Sequence, residues 1–94
     1  MAVRPMELPL KVCLDKWLWA ARFYKTRAIA RLAVETGRVM YEGERPSPNR
    51  EIKIGAVLKI KMGNIEKSVI IKGLSTRRRN LTDALQLFEE TVIS

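Results

Sequence analysis

The first regular pattern in the chain predicts a short helix over residues 14–22. Leu14, Leu18 and Ala21 recur at helical spacing and so share one face. Asp15 stands where an N-cap is expected, because its carboxylate can accept hydrogen bonds from the free N–H groups of a first helical turn. The pattern therefore predicts a helix with one buried face and a side-chain cap.

A second amphipathic pattern follows after a short turn. Thr26 is the expected N-cap of a helix that extends to about Thr36, and its stripe falls at i, i+3, i+4 and i+7: Ile29, Leu32, Ala33 and Thr36. Gly37 follows directly, and glycine favours helix termination there because it adopts positive φ without a steric penalty. We expect an amphipathic helix with this stripe as its apolar face.

From residue 38 onward the spacing of apolar residues changes to that of β-strands. Two hairpins are predicted, each with a turn that contains glycine: residues 39–45 around Glu42-Gly43, and residues 57–72 around Gly63-Asn64. In the longer hairpin, alternate apolar residues are expected to face the core while Lys59 and Lys61 face water.

The C-terminal part of the chain predicts a third helix over about residues 80–92, capped by Asn80. Its apolar positions lie on one side: Leu81, Ala84, Leu85, Phe88 and Val92. Residues 1–12, which contain two prolines, are predicted to be an irregular leader. The predicted fold class is α+β, in the order α-α-β-β-β-β-α, within a single domain over residues 13–94.

Composition narrows the possible functions more than it narrows the fold. The 94 residues allow one domain, and a net charge of +8 with an isoelectric point near 10.2 favours a polyanionic partner. A single cysteine, Cys13, and the lack of histidine argue against a disulfide, a zinc site and histidine-based acid–base chemistry. We expect no cofactor, no metal and no enzymatic activity. The chain shows no secretory signal pattern and no membrane-spanning apolar run, so a cytoplasmic protein is expected.

Cationic side chains are concentrated around the two predicted helices: Lys16, Arg22, Lys25, Arg27, Arg31 and Arg38. The N-terminus of the second helix, marked by Thr26, attracts anions through its free N–H groups and its dipole. Solvated charge is the simpler explanation for most charged helix faces. Here the cations converge with little acidic relief, and like charges at helical spacing repel one another. We therefore predict a phosphate-binding surface.

Two further features allow more than one interpretation. Trp17 and Trp19 lie about 200° apart on a helix, so one is expected in the core, and the other packs under the C-terminal helix or stacks on a base. Arg77, Arg78 and Arg79 form either a solvated run or a secondary contact with RNA.

The block LDKWLWAARFYKTRAIARLAVETGRV, followed by YEGERPSP and IKIGAVLKI, resembles the S-four domain. That domain is an αL-motif RNA-binding fold, in which two N-terminal helices pack on a small, mostly antiparallel sheet. The likeness covers about residues 13–62, and K-T-R-A-x-A-R is its most specific part. A closer resemblance, to about residue 91, is to the family of bacterial ribosome-associated heat-shock proteins of fifteen kilodaltons. Two positions depart from the family pattern, since Cys13 replaces an arginine and Glu42 replaces the asparagine of an Asn-Gly turn.

The resemblance implies a partner and a set of contact residues. Family members are understood to bind ribosomal RNA of the large ribosomal subunit, on subunits blocked by peptidyl-tRNA, in stalled-ribosome rescue or the heat-shock response. The family's RNA contacts map onto the two predicted helices and the turn between them in this sequence: Lys16, Arg22, Lys25, Thr26, Arg27 and Arg31. Asn49 and Arg50 match positions beside that face. We expect the chain to act as a monomer.

Three other functions remain open from the sequence. A DNA-binding or general nucleic-acid-binding helical module would use the same two helices, although a helix-turn-helix normally needs a third bracing helix where this chain enters a strand. An RNA-modifying enzyme would need a catalytic module, for which the remaining residues leave no room. A protein-interaction adaptor would use the acidic, apolar C-terminal helix and is compatible with RNA binding.

Overall fold

A computed structural model describes residues 11–75 and 80–91 of the chain. The elements in chain order are α1 (Leu14–Ala20), α2 (Arg27–Glu35), β1 (Val39–Tyr41), β2 (Val57–Met62), β3 (Ile65–Ile71), α3 (Leu81–Ala84) and β4 (Phe88–Thr91). The four strands form one antiparallel sheet in the order β1-β2-β3-β4. The α+β class predicted from the sequence is thus confirmed.

Trp17 lies at the centre of the core that the helices form with the sheet. Its side chain is fully buried, and its indole N–H donates a 2.8 Å hydrogen bond to the carbonyl of Gly73. This bond satisfies the polar end of a buried tryptophan. Trp19 is half-buried and packs against the same core. The structure therefore favours packing over base stacking for the second tryptophan.

The longer hairpin forms as the alternation predicts. Leu58 and Ile60 of β2 are fully buried, while Lys59 and Lys61 are exposed on the other face of the sheet. Residues on a strand point to opposite faces in turn, so the register of β2 determines which side chains reach the core. Gly63 has φ 62 in the turn to β3.

Helices α1 and α2 both end in a Schellman motif, but with different residues in the left-handed position. Gly37 occupies it after α2, with φ 80, as predicted. After α1 the position is taken by Arg22, with φ 66. Its N–H donates to the carbonyl of Trp19, and the N–H of Phe23 donates to that of Leu18. A non-glycine residue pays a steric cost in this conformation, because its Cβ crowds the backbone.

The buried face of α2 differs from the predicted stripe. Ala30, Ala33 and Val34 are buried, whereas Ile29 and Leu32 are 46% and 58% exposed. Both sets recur at i, i+3 and i+4, so periodicity alone does not distinguish them. Packing of the helix against α1 and β1 selects the smaller side chains and leaves the two larger ones in solvent.

The prediction that Asp15 caps α1 was wrong. The N-cap is Cys13, which makes no side-chain capping bond. Instead, the carbonyls of Arg50 and Pro48 accept hydrogen bonds of 2.9 and 3.1 Å from the N–H groups of Leu14 and Asp15. A distant loop therefore satisfies the free N–H groups of this helix, and the carboxylate of Asp15 is available for another partner.

The predicted C-terminal helix over residues 80–92 was wrong beyond its first turn as far as Thr91, and Val92 lies outside the described residues. Asn80 does cap α3, since its Oδ1 accepts a 2.8 Å hydrogen bond from the N–H of Asp83, but the helix ends at Ala84. Phe88–Thr91 instead forms β4, paired with β3. The open edge of β3 offers backbone partners, and Phe88 packs on the ring of Phe23, 4.6 Å away between centroids.

The shorter predicted hairpin is reduced to a single bridge. Tyr41 and Glu44 pair across a turn in which Glu42 and Gly43 both have positive φ, 52 and 79. Residues 44–45 therefore do not form the second strand that the pattern predicted, and β1 pairs with β2 instead.

Candidate nucleic-acid interface

The turn between α1 and α2 presents the N-terminus of α2 to solvent. Thr26 is its N-cap, as predicted, and its Oγ1 accepts a 3.1 Å hydrogen bond from the N–H of Ile29. Arg22 and Lys25 are exposed in the turn itself. Cationic side chains therefore flank the positive end of the helix dipole, an arrangement that favours anions.

Arg27, the first residue of α2, is held by an acidic side chain of α1. Its Nε lies 3.4 Å from Oδ2 of Asp15, and its second guanidinium nitrogen donates to Oδ1 at the same distance. Asp15 is buried, while Arg27 is about half exposed. The ion pair holds the guanidinium in one orientation, so less side-chain freedom is lost when an anion binds its exposed side.

An open groove of about 300 Å³ joins this ion pair to a loop that is distant in sequence. The residues that line it are Asp15, Arg27, Arg31, Pro48 and Asn49. Arg31 pairs with Glu35 at 3.4 Å, and both side chains are exposed, so the pair is weak and a phosphate can compete for the arginine. The structure thus brings together three predicted contact residues: Arg27, Arg31 and Asn49.

The other predicted contact residues do not share this groove. Arg50 follows Asn49, but its guanidinium lies over the ring of Tyr41, 4.8 Å from the centroid. Arg38 lines a different groove on α2, beside Tyr24. Lys16 is half-buried on α1. The predicted secondary contacts lie outside the described residues: Arg77, Arg78 and Arg79.

Arg45 and Tyr24, which the sequence did not single out, interact with residues at or just after the C-terminal end of α2. Arg45 donates a 2.7 Å hydrogen bond to the carbonyl of Glu35 and so stabilises the C-terminus of α2. Burial raises the pKa of Tyr24 above its ordinary value, and the nearby positive charge of Arg38 partly opposes that rise. Local spacing gives no signal for either contact, because each is made between separate parts of the chain.

Residues 11–75 and 80–91 hold neither a candidate metal cluster nor a helix able to cross a membrane. This part of the chain contains no cluster of acidic, cysteine or histidine side chains that would hold a metal ion. None of its helices has the length and hydropathy needed to cross a bilayer.

Comparison with known proteins places the chain in a family. The S4 domain model matches residues 14–58, a range that contains every primary candidate contact residue. Heat shock protein 15 of Escherichia coli (strain K12) is 48% identical over 85 residues, which cover 90% of this chain and 64% of that protein. The homolog from Aeromonas salmonicida is 43% identical over 90 residues, covering 96% of this chain and 68% of that protein. The chain belongs to the heat shock protein 15 family.

A solved structure agrees with this membership. The trimeric structure of Vibrio cholerae Heat Shock Protein 15 matches with a TM-score of 0.85 and 50% sequence identity, over 87% of this chain and 83% of that one. The chain spans 64% of the length of the Escherichia coli heat shock protein 15. Both resemblances predicted from the block LDKWLWAARFYKTRA, to the S-four domain and to the heat-shock family, are therefore confirmed.

Proposed function

We propose that the chain binds structured RNA through the surface that α1, α2 and the loop at residues 47–50 form. The observation that carries the proposal is the groove in which Arg27, held by buried Asp15, lies beside Arg31 and Asn49. A pre-oriented guanidinium next to a second, weakly paired one suits the oxygen atoms of an RNA backbone. The S4 domain match and the net charge of +8 support the same function.

The proposed partner is ribosomal RNA of the large ribosomal subunit. We infer that the chain acts on subunits blocked by peptidyl-tRNA, in stalled-ribosome rescue and recycling or in the heat-shock response. Membership of the heat shock protein 15 family supports this role. Recognition would rest on phosphate contacts and RNA shape, because the groove holds cations and few groups that read base edges. This function requires no catalytic step and no cofactor.

The remaining predicted contacts belong to the margins of this surface. Lys16 lies on α1, Arg22 and Lys25 lie in the turn that follows it, and Arg50 follows the groove loop. Arg77, Arg78 and Arg79 stay predicted secondary contacts. The monomeric state and the cytoplasmic location also stay predictions, and the Vibrio cholerae relative is described as trimeric.

Co-sedimentation with purified ribosomal subunits tests the proposal. Empty large subunits, large subunits that carry peptidyl-tRNA, and small subunits would be compared at physiological salt. The variant is Lys25→Ala/Arg31→Ala, which leaves the Asp15–Arg27 ion pair in place, and thermal unfolding checks that it stays folded. Its matched control is Lys59→Ala/Lys61→Ala, which removes the same charge from the exposed face of β2.

We expect wild type and the β2 control to pellet with peptidyl-tRNA-bearing large subunits, and the helical variant to remain in solution. Equal loss of binding in both variants would mean that net charge, and not the groove, attracts RNA. If the wild-type chain pelleted equally with large and small subunits, the large subunit would not be its specific partner. Duplex DNA added as competitor distinguishes the DNA-binding alternative, since it should not displace the chain at a concentration at which ribosomal RNA does.

A further inference from the structure

Two large aliphatic side chains of α2 lie in solvent beside a groove that the phosphate-binding surface does not include. Ile29 and Leu32 are 46% and 58% exposed, although the helix has an alanine-rich face available for the core. With Tyr24, Ala33, Thr36 and Arg38 they line a groove of about 250 Å³. Ile29 and Leu32 lie outside the core cluster, so their exposed aliphatic side chains indicate a surface for a partner.

Tyr24 and Arg38 provide polar groups beside the aliphatic side chains of this groove. The Tyr24 hydroxyl is shielded from solvent and has no hydrogen-bond partner in the part of the chain that the structure describes. A buried hydroxyl without a partner is destabilising, and a ligand acceptor removes that cost if the Tyr24 ring shifts to expose the hydroxyl. Arg38 lies close enough to Tyr24 for its charge to affect the phenol, and its own side chain is exposed. A ligand with a flat apolar face and an acceptor on its edge fits these features.

We propose that this groove receives one unstacked base of the RNA that the cationic surface binds. This inference rests on the proposed function and names a second subsite for the same ligand. The groove volume of about 250 Å³ lies below the roughly 300–1,000 Å³ typical of small-molecule pockets, so one base fits better than a larger ligand. Proteins that bind single-stranded loops of RNA commonly contact bases that are splayed out in this way.

The two subsites are adjacent on one helix. Leu32 follows Arg31 directly, so it lies about 100° around the helix axis from that cation. A backbone held at the cations can therefore direct a base into the neighbouring groove. Arg38 at the groove adds positive charge, which favours RNA over a second copy of this chain with its own net charge of +8.

The test uses two hairpin RNAs that differ only in their loops. One has an unpaired loop that contains all four bases, and the other carries abasic riboses at the same positions. The variant is Ile29→Ala/Leu32→Ala, and the matched control is Ile54→Ala/Leu85→Ala, which removes exposed aliphatic side chains elsewhere. We expect wild type and control to bind the base-bearing hairpin roughly tenfold more tightly than the abasic one. The groove variant should lose this preference and keep its affinity for the abasic hairpin.

The other possible results contradict either the base subsite alone or the proposed function as well. Salt-dependent binding of wild type to both hairpins with equal affinity would overturn the base subsite and leave the proposed function intact. An equal loss for both hairpins in the groove variant would also overturn the subsite. If wild type bound neither hairpin, the proposed function itself would fail, and the subsite with it.

A second variant separates base recognition from folding. Tyr24→Phe removes only the hydroxyl, so thermal unfolding of the free protein should be unchanged or shifted upward, while affinity for the base-bearing hairpin falls a few-fold. A fall in affinity for both hairpins would contradict the proposal. Sedimentation velocity tests the alternative that a second copy of the chain occupies the groove. If Ile29→Ala/Leu32→Ala abolished self-association and left the hairpin preference intact, the groove would be a contact between copies and the proposal would be wrong.

Discussion

Arg27 and Asp15 form an ion pair whose two members differ sharply in exposure. The Nε and Oδ2 atoms lie 3.4 Å apart, yet the side chain of Asp15 is 6% exposed and that of Arg27 is 51% exposed. The carboxylate therefore depends on the guanidinium for its compensating charge, while the guanidinium keeps a free side for solvent or an anion. One residue of the proposed RNA contact thus also stabilises the fold.

Arg27→Ala is expected to lower the free energy of unfolding by about 1–2 kcal/mol, because it leaves a buried carboxylate unpaired. The value is below that of a fully buried pair, since half of Arg27 already faces water. Urea denaturation measures it. Adding Asp15→Asn should restore much of the stability, while RNA binding should stay weak. Restored stability together with restored binding would show that Arg27 does not contact RNA.

Arg22 is expected to lower the stability of the fold through its backbone conformation and to strengthen RNA binding through its charge. Because it adopts φ 66 at the end of α1, Arg22→Gly is expected to raise the free energy of unfolding by roughly 0.5–1 kcal/mol and to weaken RNA binding. Arg22→Ala is the matched control, since alanine loses the charge but keeps the steric cost. Denaturation and RNA titration should therefore show weaker binding in both variants and a stability gain in the glycine variant alone. A stability loss on Arg22→Gly would show that the side chain's contacts outweigh its backbone cost.

Arg45 is expected to act on stability alone. Its hydrogen bond to the carbonyl of Glu35 satisfies the end of α2, so Arg45→Ala should cost about 0.5–1.5 kcal/mol of unfolding free energy. Affinity for RNA should change no more than in Lys59→Ala, which removes one charge from β2. A larger loss of affinity would add Arg45 to the contact surface.

The titration of Tyr24 is expected to lower the stability of the fold at alkaline pH. Burial raises its pKa in the folded chain above the ordinary 10.0, and Arg38 opposes this only in part. As the pH rises, the unfolded chain therefore releases the Tyr24 proton first. The contribution of Tyr24 to the free energy of unfolding is complete below pH 10.0 and is lost as the pH rises through the pKa of the folded chain. Denaturation midpoints measured across this range should fall less steeply for Tyr24→Phe than for wild type. Identical slopes would show that Tyr24 titrates alike in both states.

Binding to structured RNA should weaken steeply with salt. If four to six phosphates are neutralised, the slope of log K against log salt is expected to be about −4 to −5. The Lys25→Ala/Arg31→Ala variant should reduce its magnitude by about one to two, because each lost cation releases one counterion fewer. A slope near zero for wild type would contradict a phosphate-based interface.

The features that were predictable from the sequence depend on neighbouring residues. Thr26 caps α2, and Gly37 ends it, because each acts on backbone groups within a few positions. The hairpin at Gly63-Asn64 forms for the same reason, and its alternation determines which face of β2 is buried. The cations of the candidate site could also be named in advance, since they lie around one short turn.

The features that were not predictable depend on contacts between distant segments. Asp15 fits the sequence pattern of a cap, but backbone carbonyls from residues 48 and 50 take that role, and the carboxylate pairs with Arg27. The C-terminal segment has apolar residues at helical spacing, but pairing with β3 makes its end a strand. In each case the local preference is worth less than the hydrogen bonds and burial that a tertiary partner supplies.

By itself, the sequence determined the α+β class, the cap and the terminating glycine of α2, and the buried face of β2, because capping, turn formation and alternation act over a few residues. The block LDKWLWAARFYKTRA also identified the family. Only the tertiary structure decided which face of α2 is buried and which cation is held in place. Two faces of α2 have apolar residues at the same helical spacing. Packing against α1 and β1 determines which of the two faces is buried. That choice leaves Ile29 and Leu32 in solvent beside Arg38, where the proposed base subsite lies.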